Sequence, residues 1–291
     1  MTTRTRTSAP GPRRVAPGPK VRPDRSGPLH VEIHAVGREL LRGRRSDANA
    51  RAIAAALGAR GGLVHRITIV DDHERAIRAA LLESFGRHPN LVVTTGGLGP
   101  APDDRTLAAV SEALGLPLAL HARAQAMVEE AYRRLHRAQL AVSSGMNLSR
   151  EKMCQIPVGA IPIENPRGVA PGVLCRLAGG AAVICLPGHP TEARAVLDRA
   201  LDELGEPARR FEVAYREVES PTADESSLRP TLERLASEYP NVWISSRTVG
   251  PGRQGQRVLV TFEATGATTE EAQATLGSAV KRLLDLAGGS L

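Results

Sequence analysis

Residues Asn90–Thr106 read NLVVTTGGLGPAPDDRT. An unbroken apolar run is what a strand buried on both faces requires. It ends in Gly96, Gly97 and Gly99, and Asp103 and Asp104 follow before a helical pattern begins. Glycines let the backbone approach a ligand and turn its N–H groups toward it, and the next helix adds the positive end of its dipole. That is an anion cradle, yet the two carboxylates beside it repel phosphate. A divalent cation removes the conflict, because Mg²⁺ takes one or two carboxylates together with phosphate oxygens and water. The stretch is neither a Walker A loop, since no GK[ST] follows, nor the dinucleotide pattern GxGxxG.

The same alternation of elements extends outward. HVEIHAV (30–36) and LVHRITIV (63–70) read as strands. The helix between them is capped by Ser46 or Asp47 and carries Ile53 and Leu57 on its apolar side. DDHERAIRAALLESF (71–85) is a second amphipathic helix, and a third runs from Asp103 to Leu114. This β-α-β-α-β-α rhythm predicts an α/β fold with a three-layer, mostly parallel sheet. A helix follows over 121–138, a buried strand at AAVICLP (181–187) and another helix after it; Pro and Gly break up 139–180. Composition shifts at GEPARR (205–210). Beyond it β-α-β-β-α predicts a small α+β domain, with Pro230 delaying or kinking its first helix. The expected division is a disordered basic tail over 1–28, an α/β domain over 29–205 and the small domain over 206–291.

The chain has 291 residues and a net charge of +7. Arg4, Arg6, Arg13, Arg14, Lys20, Arg22 and Arg25 stand against Asp24 in the first 28 residues, leaving 31 basic and 30 acidic residues for the rest. The basic character therefore belongs to the tail, and specific nucleic-acid binding is not expected. The tail is rich in Pro and Gly and nearly free of apolar residues, so it cannot offset its ordering entropy. No apolar run approaches the roughly 20 residues of a membrane helix, and no secretory h-region is present. Cys154, Cys175 and Cys185 lack CxxC spacing and read as reduced core thiols of a cytoplasmic protein.

In an open parallel sheet, ligands bind beyond the carboxyl ends of the strands. Glu39, Asp47 and Asn49 follow the first strand, Asp71 and Asp72 the second, the glycine loop the third, and LPGHPTE (186–192) the last. One of Asp103 and Asp104 is expected to cap the helix, and Asp103 is the better candidate. His30, His34 and His65 lie on strands and read as structural.

Four segments, AVGRELLRGRRSDANA (35–50), TTGGLGPAPDDRTLAAVSEALG (94–115), NPRGVAPG (165–172) and LPGHPTE, resemble in order and spacing the N-terminal domain of the competence/damage-inducible protein CinA. That domain is placed in the molybdopterin-binding, molybdenum-cofactor-biosynthesis superfamily, and the resemblance covers about residues 30–285. It implies a homo-oligomer with Gly96, Gly97 and Gly99 as the phosphate cradle. It implies that Asp104, with Thr106 two residues on, and Asp71 hold a divalent cation (Mg, Mn or Co). Glu39, Asp47 and Asn49 match the motif G-x-E-L-L-x-G-x-x-x-D-x-N, with Glu39 or Asp47 orienting water. Asn165, Gly168, Pro171 and Gly172 match a turn over the ligand, and Gly188, Pro190 and Glu192 match a corner of the site. The implied activity is metal-dependent hydrolysis of the pyrophosphate in an ADP-ribose-like nucleotide. The alternatives are molybdopterin binding and adenylylation, or a catalytically silent nucleotide-binding protein; the ligand is a nucleotide or a pterin phosphate. The superfamily's GGTG is GGLG here, and the hydroxyl missing at Leu98 weighs against molybdopterin. The chain stops before a deamidase domain, so that activity is not expected.

Overall fold

A computed structural model describes residues 29–205, 212–250 and 256–287. The basic segment 1–28 and the start of the small domain at 206–211 lie outside them. By contacts the chain forms two compact units. One takes Glu32–Ala50 and Arg66–Ala200; the other takes 29–31, Arg51–His65 and the chain from Leu201.

The first part of the chain runs β1 (Leu29–Val36), α1 (Arg38–Leu41), α2 (Ala48–Gly58), β2 (Gly62–Val70), α3 (Glu74–Gly86), β3 (Leu91–Thr95), α4 (Thr106–Leu114), β4 (Leu118–Leu120) and α5 (Ala122–Arg137). It continues with α6 (Leu148–Lys152), β5 (Gln155–Pro157), β6 (Ile161–Ile163), β7 (Gly172–Arg176), β8 (Ala182–Leu186) and α7 (Pro190–Leu204). Six strands form one sheet in the order β2-β1-β3-β8-β7-β6. β3 runs parallel to β8, from Leu91 opposite Ala182 to Thr95 opposite Leu186. All five residues of each strand are buried, as their unbroken apolar character demands.

Carboxyl ends are tied together by backbone bonds. Gly37 N–H donates to Val70 O at 3.0 Å, joining the exits of β1 and β2, and Gly96 N–H donates to Leu186 O at 3.0 Å, joining those of β3 and β8. Four loops thus leave from one edge. The region 139–180, unassigned from sequence, supplies an antiparallel margin: β7 pairs antiparallel with β8 and β6 with β7. β4 and β5 make a separate antiparallel pair. α4 begins at Thr106 rather than Asp103, with Arg105 at its N-cap and no side-chain cap bond, so neither aspartate caps it.

Cys154, Cys175 and Cys185 are free and buried, and burial pushes the Cys154 thiol to about 11 and the Cys185 thiol to about 12. His30 and His65 stack with ring centroids 4.1 Å apart, in keeping with structural roles. Among the described residues no helix is long and apolar enough to cross a membrane.

The second part comprises β9 (Glu212–Glu219), α8 (Glu225–Glu238), β10 (Val242–Val249), β11 (Arg257–Gly266) and α9 (Thr269–Ala287). β11 lies between β10 and β9, antiparallel to both. Val258, Val260, Phe262 and Ala264 pack with Leu228, Leu235, Leu276 and Leu283 of the two helices. Asp224 caps α8 by accepting from Ser226 N–H at 3.0 Å, and the helix runs from Glu225 through Pro230 without the expected late start.

Candidate functional site

The glycine loop is held in one conformation. Gly96 has φ +100 and Gly97 φ +68, the left-handed region that favours glycine. A Cβ on Gly96 would overlap Val36 O, and one on Gly97 would overlap Thr106 Oγ1. The buried Thr106 hydroxyl donates to Gly96 O at 2.8 Å, and its N–H donates to Gly97 O at 3.1 Å. Thr106 is therefore the latch of the loop rather than a free ligand group. The N–H groups of Gly97, Leu98 and Gly99 donate to nothing among the described residues. They are the unspent donors an anion requires.

Asp104 folds back on this loop: its Oδ2 accepts from Ala101 N–H at 2.9 Å, and a Cβ on Gly99 would come within 2.6 Å of it. Lys152 of α6 closes the other side, donating to Gly99 O at 3.3 Å and to Ala101 O. Burial lowers the Lys152 ammonium, and Asp104 opposes that shift. Leu98 points elsewhere. It is 4% exposed and packs in the core with Leu107, Val110 and Leu114. A threonine there would lose part of that packing, and Leu98 also lines a recess of about 160 Å³ with Gly97, Gly99, Asp104 and Lys152.

A cavity of about 750 Å³ opens against the loop, lined by Gly96, Gly97 and Gly188 with Glu39, Asp47, Asp72, Asp103 and Asp104. Arg44 and Arg45 are its basic walls, and His189 stands at its margin. Asp47 caps α2, its Oδ1 accepting from Ala50 N–H at 2.9 Å. Asn49 Nδ2 donates to Thr95 Oγ1 at 3.0 Å and to Gly188 O at 2.7 Å, while Thr95 donates to Pro187 O at 3.0 Å. One nitrogen facing two acceptors fixes the amide orientation. Asn49 thus ties the exit of β3 to the loop after β8. Asn49→Ala leaves both acceptors without their donor, and is expected to cost about 2 kcal/mol in a denaturant titration. An unchanged midpoint would contradict this bracing role.

Asp71 takes a different place from the one its sequence position suggests. It does not line the cavity; Asp72 does. Arg38 holds Asp71 Oδ1 at 3.0 Å and Asp72 Oδ1 at 2.8 Å, and its Nη2 lies 2.9 Å from His73 Nε2. The Arg38 guanidinium keeps the Asp71 carboxyl far below the usual carboxylate range, while burial and the neighbouring Asp71 raise Asp72. Among the described residues, Asp71, Asp72 and His73 are the one cluster of three with ligand atoms within 4.8 Å of each other. Arg38 already occupies it as the counter-charge. Asp103 and Asp104 line the cavity outside that ion pair, and Mg²⁺ needs only one or two carboxylates.

The NPRGVAPG turn is likewise apart from the cavity. Asn165 Nδ2 donates to Ala170 O at 2.9 Å and Glu192 Oε2 at 2.7 Å, and its Oδ1 accepts from Arg167 and Gly168 N–H. A Cβ on Gly168 would overlap the Glu192 carboxylate, and one on Gly172 would overlap Val196. These residues brace the margin of the sheet, and Asn165 lines a separate recess of about 390 Å³. The sequence reading overlooked Arg38, Arg44, Arg45 and Lys152. The three arginines sit in a segment it quoted for another reason, and Lys152 in the region 139–180 it left unassigned.

The model of the family described as "probable molybdopterin binding domain" matches residues 32–206, which contain every residue lining the cavity. A protein of Pyrococcus furiosus is 38% identical over 226 residues, 77% of this chain and 87% of its own length. A CinA-like protein of Anaeromyxobacter is 36% identical over 80% of this chain and 58% of its own length. The crystal structure of the protein CinA, of unknown function, from Thermoplasma acidophilum is 35% identical with a TM-score of 0.54. That match covers 60% of this chain and 98% of the other.

Proposed function

Since this chain belongs to the molybdopterin-binding-domain family and is CinA-like, we propose that its cavity binds a phosphorylated pterin of the molybdopterin class. The observation that carries this reading is the unspent N–H of Gly97 at the wall of a cavity that Asp72, Asp103 and Asp104 also line. The Gly97 N–H takes the phosphate, and the unspent N–H groups of Leu98 and Gly99 border the adjoining recess of about 160 Å³. Arg44 and Arg45 add charge without closing the space. A pterin presents a 2-amino-4-oxo edge with adjacent N–H donors, which a carboxylate accepts in bidentate fashion. Asp72, Asp103 and Asp104 are the acceptors available for it. Adenine has no such edge, so this wall favours a pterin over an adenine nucleotide.

A second reading is metal-dependent hydrolysis of the pyrophosphate in an ADP-ribose-like nucleotide. It is favoured by the five carboxylates that outnumber two arginines around the cavity. A bound divalent cation would polarise a phosphoryl oxygen and activate water there. In that case Asp103 and Asp104 would hold it, the Gly97 amide would hold a phosphoryl oxygen, and Glu39 would be left to orient water.

Anaerobic titration with molybdopterin, followed by filtration and fluorescence of the oxidised pterin, separates the readings. Retention near one pterin per chain, with ADP-ribose left intact in Mg²⁺, Mn²⁺ or Co²⁺, is the expected result. AMP release that Asp104→Ala removes, without pterin retention, selects the hydrolase. Neither binding nor turnover sinks both.

A further inference from the structure

The open face of the β10-β11-β9 sheet carries a row of residues unrelated to the cavity chemistry. Tyr215 on β9 and Trp243 on β10 are both directly opposite Glu263 on β11. Directly opposed residues of antiparallel strands project from one face, and here it is the face away from Val260, Phe262 and Ala264. Strand spacing of about 5 Å sets the two aromatic positions about 10 Å apart across the carboxylate. Tyr215 is 62% exposed and Trp243 is 59% exposed. The chain has one Trp, three Tyr and three Phe, so two of its few large rings stand in solvent in a single row. Glu217 is paired with Arg247 and Glu219 with Arg257, whereas Glu263 has no ion-pair partner among the described residues. Two ring faces beside an unpaired carboxylate suit a planar cation: the rings attract it through their quadrupoles and the carboxylate by charge.

We propose that Tyr215, Glu263 and Trp243 form a guanidinium-binding row, and that its occupant is an arginine of the chain's own N-terminal segment. Residues 1–28 contain six arginines and one lysine against one aspartate, interspersed with six prolines. Arginine and proline both dock on aromatic surfaces. The segment ends at β1, where 29–31 belong to the same unit as this sheet. Fully extended, 28 residues reach up to about 90 Å. A unit of about 100 residues has a radius of gyration near 13 Å, so reach does not limit the contact. Tethering raises the local concentration to the millimolar range, enough to fill a weak site.

Trp243 is the chain's single tryptophan, so acrylamide quenching of its emission reads this row directly. In the full chain at low salt the quenching constant is expected to lie about two-fold below that of a full-length variant with the seven basic residues of 1–28 replaced by glutamine. Glu263→Gln is expected to give the same rise, as is salt at about 0.5 M, where the Debye length shortens to a few ångströms. The segment variant leaves the sheet untouched and decides the matter should Glu263→Gln disturb the strand. Equal quenching in the wild type and the segment variant overturns the proposal. Shielding that grows with protein concentration and survives the glutamine segment also overturns it, assigning the row to a second copy of the chain.

Discussion

Gly97→Ala is expected to abolish pterin retention and to lower the unfolding free energy by about 3 kcal/mol. Two costs act together. Alanine is strained at φ +68, and its methyl group overlaps Thr106 Oγ1. Neither partner can yield: Thr106 is buried and its hydroxyl holds Gly96 O at 2.8 Å, while Gly96 is pinned against Val36 O. Relief must come from the loop backbone, whose amides are the anion donors. Thr106→Ala in the Gly97→Ala background removes the overlap together with the latch, so it should recover part of the stability and none of the binding. Gly188→Ala is the contrast. Its added Cβ meets Gly96 Cα at 3.4 Å, an ordinary contact, and its effect should stay within about 1 kcal/mol. Thermal unfolding and pterin retention measured on the same preparations check all three. Wild-type unfolding in Gly97→Ala would refute the latch.

How much of this was legible beforehand depends on the kind of interaction. The β3-loop-α4 passage was, because an unbroken apolar run, positive-φ glycines and a helical period are properties of neighbouring residues. The capping role of Asp47 was legible for the same reason: its acceptor lies three residues away. Contacts across the chain were not. Arg38 neutralises Asp71 from 33 positions away, and nothing in either local sequence shows that pairing. Lys152 closes the glycine loop from 53 positions away, within the region 139–180 that carries no legible period. The direction of Leu98 depends on the turn of the loop, which the letter L cannot specify. The antiparallel margin escaped because β6 is three residues with Pro at its centre and β7 five residues beginning at Gly, too short for a period of two to register. The carboxyl-edge rule located the cavity, while the division of labour among its acids had to come from hydrogen bonds.

Away from the cavity, a buried polar chain beneath the sheet should make the fold acid-sensitive. Arg87 donates to Glu32 Oε1 at 2.7 Å and Oε2 at 2.6 Å, and Ser84 Oγ donates to Glu32 Oε2 at 2.6 Å. With the Ser84 proton committed to Glu32, His34 Nε2 must be the donor in its 2.8 Å contact with Ser84 Oγ. His34 Nδ1 is then a lone pair, buried without a partner among the described residues. Burial pushes the imidazole down to about 4 from 6.5, against the pull of Glu32. The unfolded chain therefore binds a proton that the folded chain refuses between those values. Stability is complete above pH about 6.5 and falls by about 3 kcal/mol as the pH drops toward 4. Burial alone would raise the Glu32 carboxyl, but Arg87 and Ser84 hold it below 4.5, so its contribution is lost at lower pH still. Replacing His34 by glutamine should flatten the loss between pH 6.5 and 4; an unaltered acid limb would sink the assignment. Arg87→Met leaves Glu32, 5% exposed, as an unpaired buried charge, and is expected to cost about 3–5 kcal/mol at pH 7. Adding Glu32→Gln removes that charge, so the double variant should be more stable than Arg87→Met alone. A double variant no more stable than the single one would show that Arg87 acts through packing and not through the carboxylate it holds.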